Sequence, residues 1–271
     1  MRALGPGAVV APGVHVVRHL HRSNGADTYE AWSDRLASRV VAKTPRPDRL
    51  RVPAARAALL REGRLMRRLS HPNVVRAYEV HDGASPAVVM EAVGGETLAH
   101  LIERSRRRLG VADLAHLGLH LGSALTYLHG EGILHLDLKP SNIVAEAGRA
   151  KVLDLSLARP PGRVRAGAGT WSNMAPEQAR GGEVGPAADV WGLGTVLYEA
   201  AAGVNPFEEH EEIEYPQLVV RPAPLASLRR RSRALTDLVD ATLDPEPDGR
   251  PTLADVRAEL AALAGEQLGP S

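Results

Sequence analysis

The chain has 271 residues, enough to bury a substantial core as one large domain or two lobes, and its 33 Lys and Arg nearly balance its 32 Asp and Glu. That balance gives no general attraction for nucleic acid or an anionic membrane, and the absence of cysteine excludes disulfides and thiolate metal sites. The start, MRALGPGAVVAPG, lacks the apolar stretch of a signal peptide and no later window has the uninterrupted apolar run of a membrane span, so a cytoplasmic protein with no membrane or nucleic-acid partner is expected.

Residues 1–12 are punctuated by Gly and Pro and read as a flexible tail. From residue 13 onward short β-rich runs, Val14–Leu20, Thr28–Trp32 and Arg39–Lys43, are separated by turn residues as in an antiparallel meander. Lys43 closes the third run, where a lysine is ordinarily a solvated edge residue. A helix is predicted over Ala54–Leu69, with Leu59, Leu65, Met66 and Leu69 on one face. Glu62 lies within it and has the plain reading of a surface charge paired with Arg61 or Arg64. Two further strands, around Val74–Val80 and Ala87–Met90, complete a five-stranded sheet, and composition changes at Glu91-Ala92-Val93-Gly94-Gly95.

Beyond residue 94 the chain reads as mainly helical. Leu114, Leu117, Leu121, Leu125 and Leu128 form an apolar stripe that stops at Gly130. His116 and His120 on that helix have an i, i+4 spacing used by zinc enzymes, but the glutamate of H-E-x-x-H is missing and they read as helix surface. Next comes His135-Leu136-Asp137-Leu138-Lys139-Pro140-Ser141-Asn142. It places an acid able to accept a hydroxyl proton, a lysine and an asparagine on one turn. Phosphoryl transfer calls for positioning and charge neutralisation more than covalent chemistry, and this set suits it. A hairpin of Asn142–Ala145 and Ala150–Leu153 about Glu146–Arg149 leads to Asp154-Leu155-Ser156. The loop 154–177 closes on Gly169-Thr170-Trp171-Ser172-Asn173-Met174-Ala175-Pro176-Glu177. The arginines 104, 106–108, 229–231 and 233 and the acidic run Glu208–Glu212 read as solvated surface, and residues 266–271 as a C-terminal tail.

These motifs are collinear over about residues 13–265 and resemble those of serine/threonine protein kinases, specifically the eukaryotic-like enzymes of bacteria. V-V-A-K resembles V-A-I-K, H-L-D-L-K-P-S-N resembles H-R-D-L-x-x-x-N, and D-L-S resembles D-F-G. The end of the long loop resembles G-T-x-x-Y-M-A-P-E, with Asn173 in the tyrosine position, and Asp248-Gly249-Arg250-Pro251-Thr252 resembles D-x-R-P-T. The resemblance implies an α+β, bilobal protein-kinase fold: an N-lobe and hinge over 13–93, with a five-stranded antiparallel sheet and helix αC, and a mainly helical C-lobe over 94–265.

The same resemblance implies an ATP- and Mg2+-dependent enzyme that phosphorylates Ser or Thr of a protein substrate. Asp137 would orient and deprotonate the acceptor hydroxyl, Lys139 neutralise charge on the γ-phosphoryl, and Thr170 bridge the two. Asn142 and Asp154 would hold the metal, and Lys43, braced by Glu62, the α- and β-phosphates. Met90 is the implied gatekeeper, with the backbone of Glu91 and Val93 facing the adenine. His135 and Asp189 would support the catalytic loop, and Glu177 would pair with Arg250, whose plain reading is a surface arginine near a helix start.

Three departures from the family pattern bear on activity. The glycines of G-x-G-x-x-G fall at His21, Ser23 and Ala26, leaving only Gly25 near the phosphates, so the lid over them should be weakened or reshaped. Ser156 replaces the D-F-G glycine. Leu136 replaces the arginine that would hold a phosphate of the activation loop, which points to activity that is constitutive or gated by a regulatory partner protein. A pseudokinase acting as a nucleotide-binding scaffold or allosteric partner stays open as the alternative. A small-molecule phosphotransferase is disfavoured by the A-P-E segment and Arg250.

Overall fold

The computed structural model describes residues 2–104, 109–210, 212–228 and 232–265. Arg106–Arg108, Arg229–Arg231, Glu211 and the expected tail 266–271 lie outside the described residues. The chain divides into two compact units, one of Met1–Gly94 with Asp154–Ser156 and one of Gly95–Leu153 with Leu157–Ser271. No helix among the described residues is long and apolar enough to cross a membrane.

The first unit is an antiparallel sheet with one helix. Its strands are β1 (Val9–Ala11), β2 (Val14–Arg22), β3 (Ala26–Ser33) and β4 (Ser38–Pro45), followed by helix α1 (Pro53–Arg68) and strands β5 (Ala77–His81) and β6 (Ala87–Glu91). The spatial order is β1-β2-β3-β4-β6-β5. Alternation sets the inner face: Val14 and Val16, Tyr29 and Ala31, and Val40 and Ala42 are buried on successive strands. The sheet has six strands rather than five, because the first dozen residues are not a loose tail. Val10 and Ala11 are buried, and Leu4 N–H donates to Tyr29 Oη at 3.0 Å. Pro12-Gly13 turns β1 back into β2 with Gly13 left-handed at φ 68°, so the punctuation read as looseness is a tight turn.

Helix α1 starts with Pro53 at its first turn and ends on Arg67 and Arg68, which suit the negative end of the helix dipole. Leu59, Leu60, Gly63 and Met66 face inward. A Cβ on Gly63 would lie 2.4 Å from Val88 Cγ2, and Val88 is a buried, stiff β-branched residue. The steric clash therefore outweighs the helix propensity of about 1 kcal/mol that alanine would bring. Gly63→Ala is expected to lower stability by about 1–3 kcal/mol in chemical denaturation. A stabilised variant would show that α1 does not close on β6 at this point.

The second unit is mainly helical. It opens with β7 (Glu96–Thr97), α2 (Leu98–Arg104) and α3 (Val111–Gly130), and continues with the hairpin β8 (Ile143–Glu146) and β9 (Arg149–Val152), which β7 joins in a three-stranded sheet. Ala147 and Gly148 both have positive φ, at 48° and 78°, as a two-residue hairpin of the primed type requires. The glycine stop of α3 is not Gly130, which is still helical, but Gly132 at φ 72°. Then come β10 (Gly162–Arg163), α4 (Pro176–Arg180), β11 (Glu183–Val184), α5 (Pro186–Ala202), α6 (Leu225–Leu228), α7 (Arg233–Thr242) and α8 (Leu253–Ala264). Helix α5 is the core: Trp191, Leu193, Val196, Leu197 and Tyr198 are all buried, and Phe207 stacks on Trp191 with centroids 5.7 Å apart.

Candidate active site

In the first unit, β4 carries Lys43 opposite Thr28 and Val88, and α1 carries Glu62. Lys43 Nζ donates to Glu62 Oε1 at 2.8 Å, to Oε2 at 3.0 Å and to Asp154 Oδ2 at 2.7 Å. Asp154 Oδ1 accepts from Ser156 N at 2.8 Å, so the serine at the third position of D-L-S holds the carboxylate through its backbone. Burial opposes the charge of Lys43, but the two carboxylates outweigh it and hold the ammonium above the usual lysine range. Burial would likewise raise Asp154, yet Lys43 and the Ser156 N–H keep it well below the usual carboxylate range. Glu62, only 4% exposed, is pushed up by burial, and Lys43 offsets this in part. One cation thus serves two carboxylates. The excess negative charge, borne on hard oxygen donors, fits a divalent cation such as Mg2+.

Met90 is buried on β6, paired with Val41 and Ala77. The N–H of Glu91 donates to Arg76 O at 2.9 Å, so that donor does not face a base, and Val93 follows in an irregular, half-buried stretch. Gly25 lies in the turn between β2 and β3. A Cβ there would meet nothing within 4 Å and its φ is not positive, so the backbone does not require glycine at this position. The turn is closed by Ser23, whose N–H donates to Ala26 O at 2.9 Å and whose Oγ accepts from Ala26 N at 3.1 Å. Behind it Asp27, fully buried, binds Arg22 through both oxygens at 2.7 and 2.8 Å and His19 at 3.2 Å. The hairpin is therefore stiffened by a charged clamp where the family pattern has glycines. Nothing in the composition of this segment singled out Asp27.

In the second unit the catalytic-loop residues converge. Thr170 Oγ1 donates to Asp137 Oδ1 at 2.6 Å and accepts from Lys139 Nζ at 2.6 Å, and Lys139 Nζ lies 3.1 Å from Asp137 Oδ2. Asn142 Nδ2 donates to Asp137 O at 3.0 Å and to Oδ2 at 3.2 Å, which turns its Oδ1 away from Asp137. Asp189, in the first turn of α5 where the helix dipole favours a carboxylate, accepts from His135 N and Leu136 N at 2.8 Å each. It also meets His129 Nε2 at 2.8 Å, a partner the sequence did not disclose. His135 Nδ1 accepts from Asp137 N at 3.1 Å.

Arg250 is fully buried and forms a two-pronged bridge to Glu177, at 2.7 and 2.9 Å. Its remaining N–H groups reach the carbonyls of Asp244, Ala187 and Pro245 at 2.8, 2.8 and 3.3 Å, and its guanidinium lies 5.1 Å from the centroid of the Trp191 ring. His116 and His120 are engaged locally: His116 Nδ1 lies 2.7 Å from Ala112 O, and His120 Nδ1 3.4 Å from Ala150 N.

Comparison with known proteins agrees with this geometry. The protein kinase domain family matches residues 15–260. The protein named Probable serine/threonine-protein kinase SCO3848 of Streptomyces coelicolor is 32% identical over 269 residues, covering 92% of this chain and 40% of that protein. The serine/threonine-protein kinase pkn3 of Myxococcus xanthus is 32% identical over 234 residues, covering 78% and 42%. The serine/threonine-protein kinase PknB of Mycobacterium tuberculosis is 33% identical over 249 residues, covering 83% and 39%. The chain thus spans about two fifths of the length of these curated relatives.

Proposed function

Because the chain belongs to the protein kinase domain family, we propose that it is an ATP- and Mg2+-dependent serine/threonine protein kinase that works without an arginine before the catalytic aspartate. The observation that carries this reading is the chain Asp137–Thr170–Lys139, joined by two hydrogen bonds of 2.6 Å. It sets a carboxylate beside an ammonium, with the Thr170 hydroxyl bridging the two.

Asp137 accepts the proton of the substrate hydroxyl as that oxygen bonds to the γ-phosphorus. The bond to the β–γ bridging oxygen breaks, ADP leaves, and the proton passes from Asp137 to solvent. Lys139 neutralises charge on the moving phosphoryl group, and Lys43, aimed by Glu62, holds the α- and β-phosphates. Asn142 through Oδ1 and Asp154 through its carboxylate would hold Mg2+, which when bound supplies charge neutralisation for the phosphate oxygens. Met90, the carbonyl of Glu91 and the backbone of Val93 line the place of the adenine, and a protein substrate presents the Ser or Thr.

The test is incubation with Mg-ATP and a general acceptor protein, followed by phosphoamino-acid analysis. Phosphoserine and phosphothreonine are the expected products. Label on a metabolite alone would replace the reading with a small-molecule phosphotransferase.

One observation favours a second reading. The Asp27–Arg22 clamp replaces the glycine-lined turn with a stiff hairpin, as would suit a scaffold that has given up nucleotide turnover. Under that reading the folded protein transfers no phosphate and signals through a partner.

A further inference from the structure

Leu136 stands where related kinases carry the arginine that grips a loop phosphate, yet the activation segment is tied down in this protein. Gln178, 2% exposed on α4, accounts for the tie. Its Nε2 donates to Leu136 O at 2.9 Å and to Ala168 O at 2.6 Å, and its Oε1 accepts from Ala175 N at 3.1 Å. Only this orientation of the amide works, since the flipped one would set its oxygen against two carbonyls. Gln178 O also accepts from Gly167 N at 3.0 Å. One residue therefore holds positions 167, 168 and 175 of the segment to the catalytic loop.

The bond to Leu136 is placed to matter. Leu136 O and Asp137 N belong to the same peptide group; the oxygen is held by Gln178, and the N–H by His135 Nδ1. Leu136 itself sits at φ 61°, a left-handed conformation that a branched L residue adopts only when its surroundings enforce it. Asp189 fixes its N–H and Gln178 its C=O. Gly169, at φ 153°, makes the approach possible, because a Cβ there would lie 2.8 Å from Met174 Cβ and 3.1 Å from Gln178 Nε2.

We propose that Gln178 is a positioning residue that locks the activation segment onto the Leu136–Asp137 peptide through neutral hydrogen bonds, so that the segment is ordered without phosphorylation. This rests on the protein-kinase reading for its catalytic consequence, while the lock is a property of the second unit alone.

The test uses the full chain, dephosphorylated and checked by intact mass, with Gln178→Leu and Gln178→Glu beside the wild type. Amide hydrogen exchange over residues 164–175 is the first readout. Slow exchange is expected in the phosphate-free wild type, accelerated about ten-fold or more in both variants while α3 and α5 keep their protection. The second readout is steady-state kinetics: kcat should fall about ten-fold with the KM for ATP changed less than about two-fold, as for a residue that orients the base. Gln178→Glu adds a signature that general damage would not give. Its carboxylate repels the two carbonyls when ionised and can donate to one of them when protonated, so its activity should recover toward acid pH relative to wild type.

Unchanged exchange in both variants would overturn the proposal, as would fast exchange in the wild type that slows only on phosphorylation. Loss of protection spread evenly over α3 and α5 would also overturn it, marking Gln178 as a general core residue. Accelerated exchange together with a wild type that transfers no phosphate would leave the lock standing and refute the activity.

Discussion

Arg250→Leu is expected to lower the stability of the second unit by about 3–5 kcal/mol. All five guanidinium N–H groups are used: two on Glu177, and one each on Ala187 O, Asp244 O and Pro245 O. Leucine fills part of the volume and satisfies none of these acceptors. The Glu177 carboxylate would then be left as a buried charge, which costs far more than the intact pair contributes. Arg250→Lys should recover only part of the loss, because a single ammonium can face Glu177 but cannot fork across three carbonyls. Urea denaturation of the three proteins measures this. A midpoint for Arg250→Leu close to wild type would show that the bridge fixes neither Glu177 nor the end of the activation segment.

Lys43→Met is expected to reduce phosphoryl transfer about 10²–10³-fold, the scale for losing one preorganised charge at a reacting phosphate. Its effect on stability depends on pH. In the wild type Asp154 is held down by Lys43 and Glu62 is pushed up by burial. A carboxylate lowered on folding contributes stability that is present above its unfolded pKa and lost as pH falls through the folded value. One raised on folding contributes stability present at low pH and lost as pH rises through its folded value. In the wild type the two slopes have opposite signs and act in different ranges, that of Asp154 below its unfolded pKa and that of Glu62 above its own. Without the ammonium both carboxylates shift upward and the slopes add. Thermal melts of Lys43→Met should therefore show stability dropping more steeply than wild type as pH rises above the ordinary carboxylate pKa of about 4. Parallel curves would mean that Lys43 does not control the two acids.

Much of this arrangement was legible in the sequence because phosphoryl transfer restricts residue type and spacing together. Asp137, Lys139 and Asn142 are local to one turn, so the sequence alone placed them near one another. The pairing of Arg250 with Glu177, 73 positions apart, came from resemblance, since spacing alone leaves Arg250 a surface residue. What escaped has a physical reason in each case. β1 is three residues long and enclosed by Gly and Pro, so its turn looked like disorder. Asp27 is a polar residue on a strand, and only the fold shows that Arg22, His19 and Tyr29 all converge on it. Gln178 acts on carbonyls 10 and 42 positions away, and backbone acceptors leave no trace in side-chain identity. Asp154–Ser156 group with the first unit, where Asp154 also pairs with Lys43, which chain order did not suggest.

The kinase reading is tested most simply by transfer of labelled γ-phosphate from Mg-ATP to a serine/threonine acceptor by wild type and by Asp137→Asn. Asparagine is isosteric and keeps an oxygen to accept from Thr170, but it removes the base and the acceptor that faces Asn142 and Lys139. Incorporation by the wild type is expected, with a loss of about 10²–10⁴-fold in the variant and both proteins melting alike. Equal incorporation by the two would contradict the role of Asp137. No incorporation by folded wild type would contradict the kinase itself and favour the scaffold.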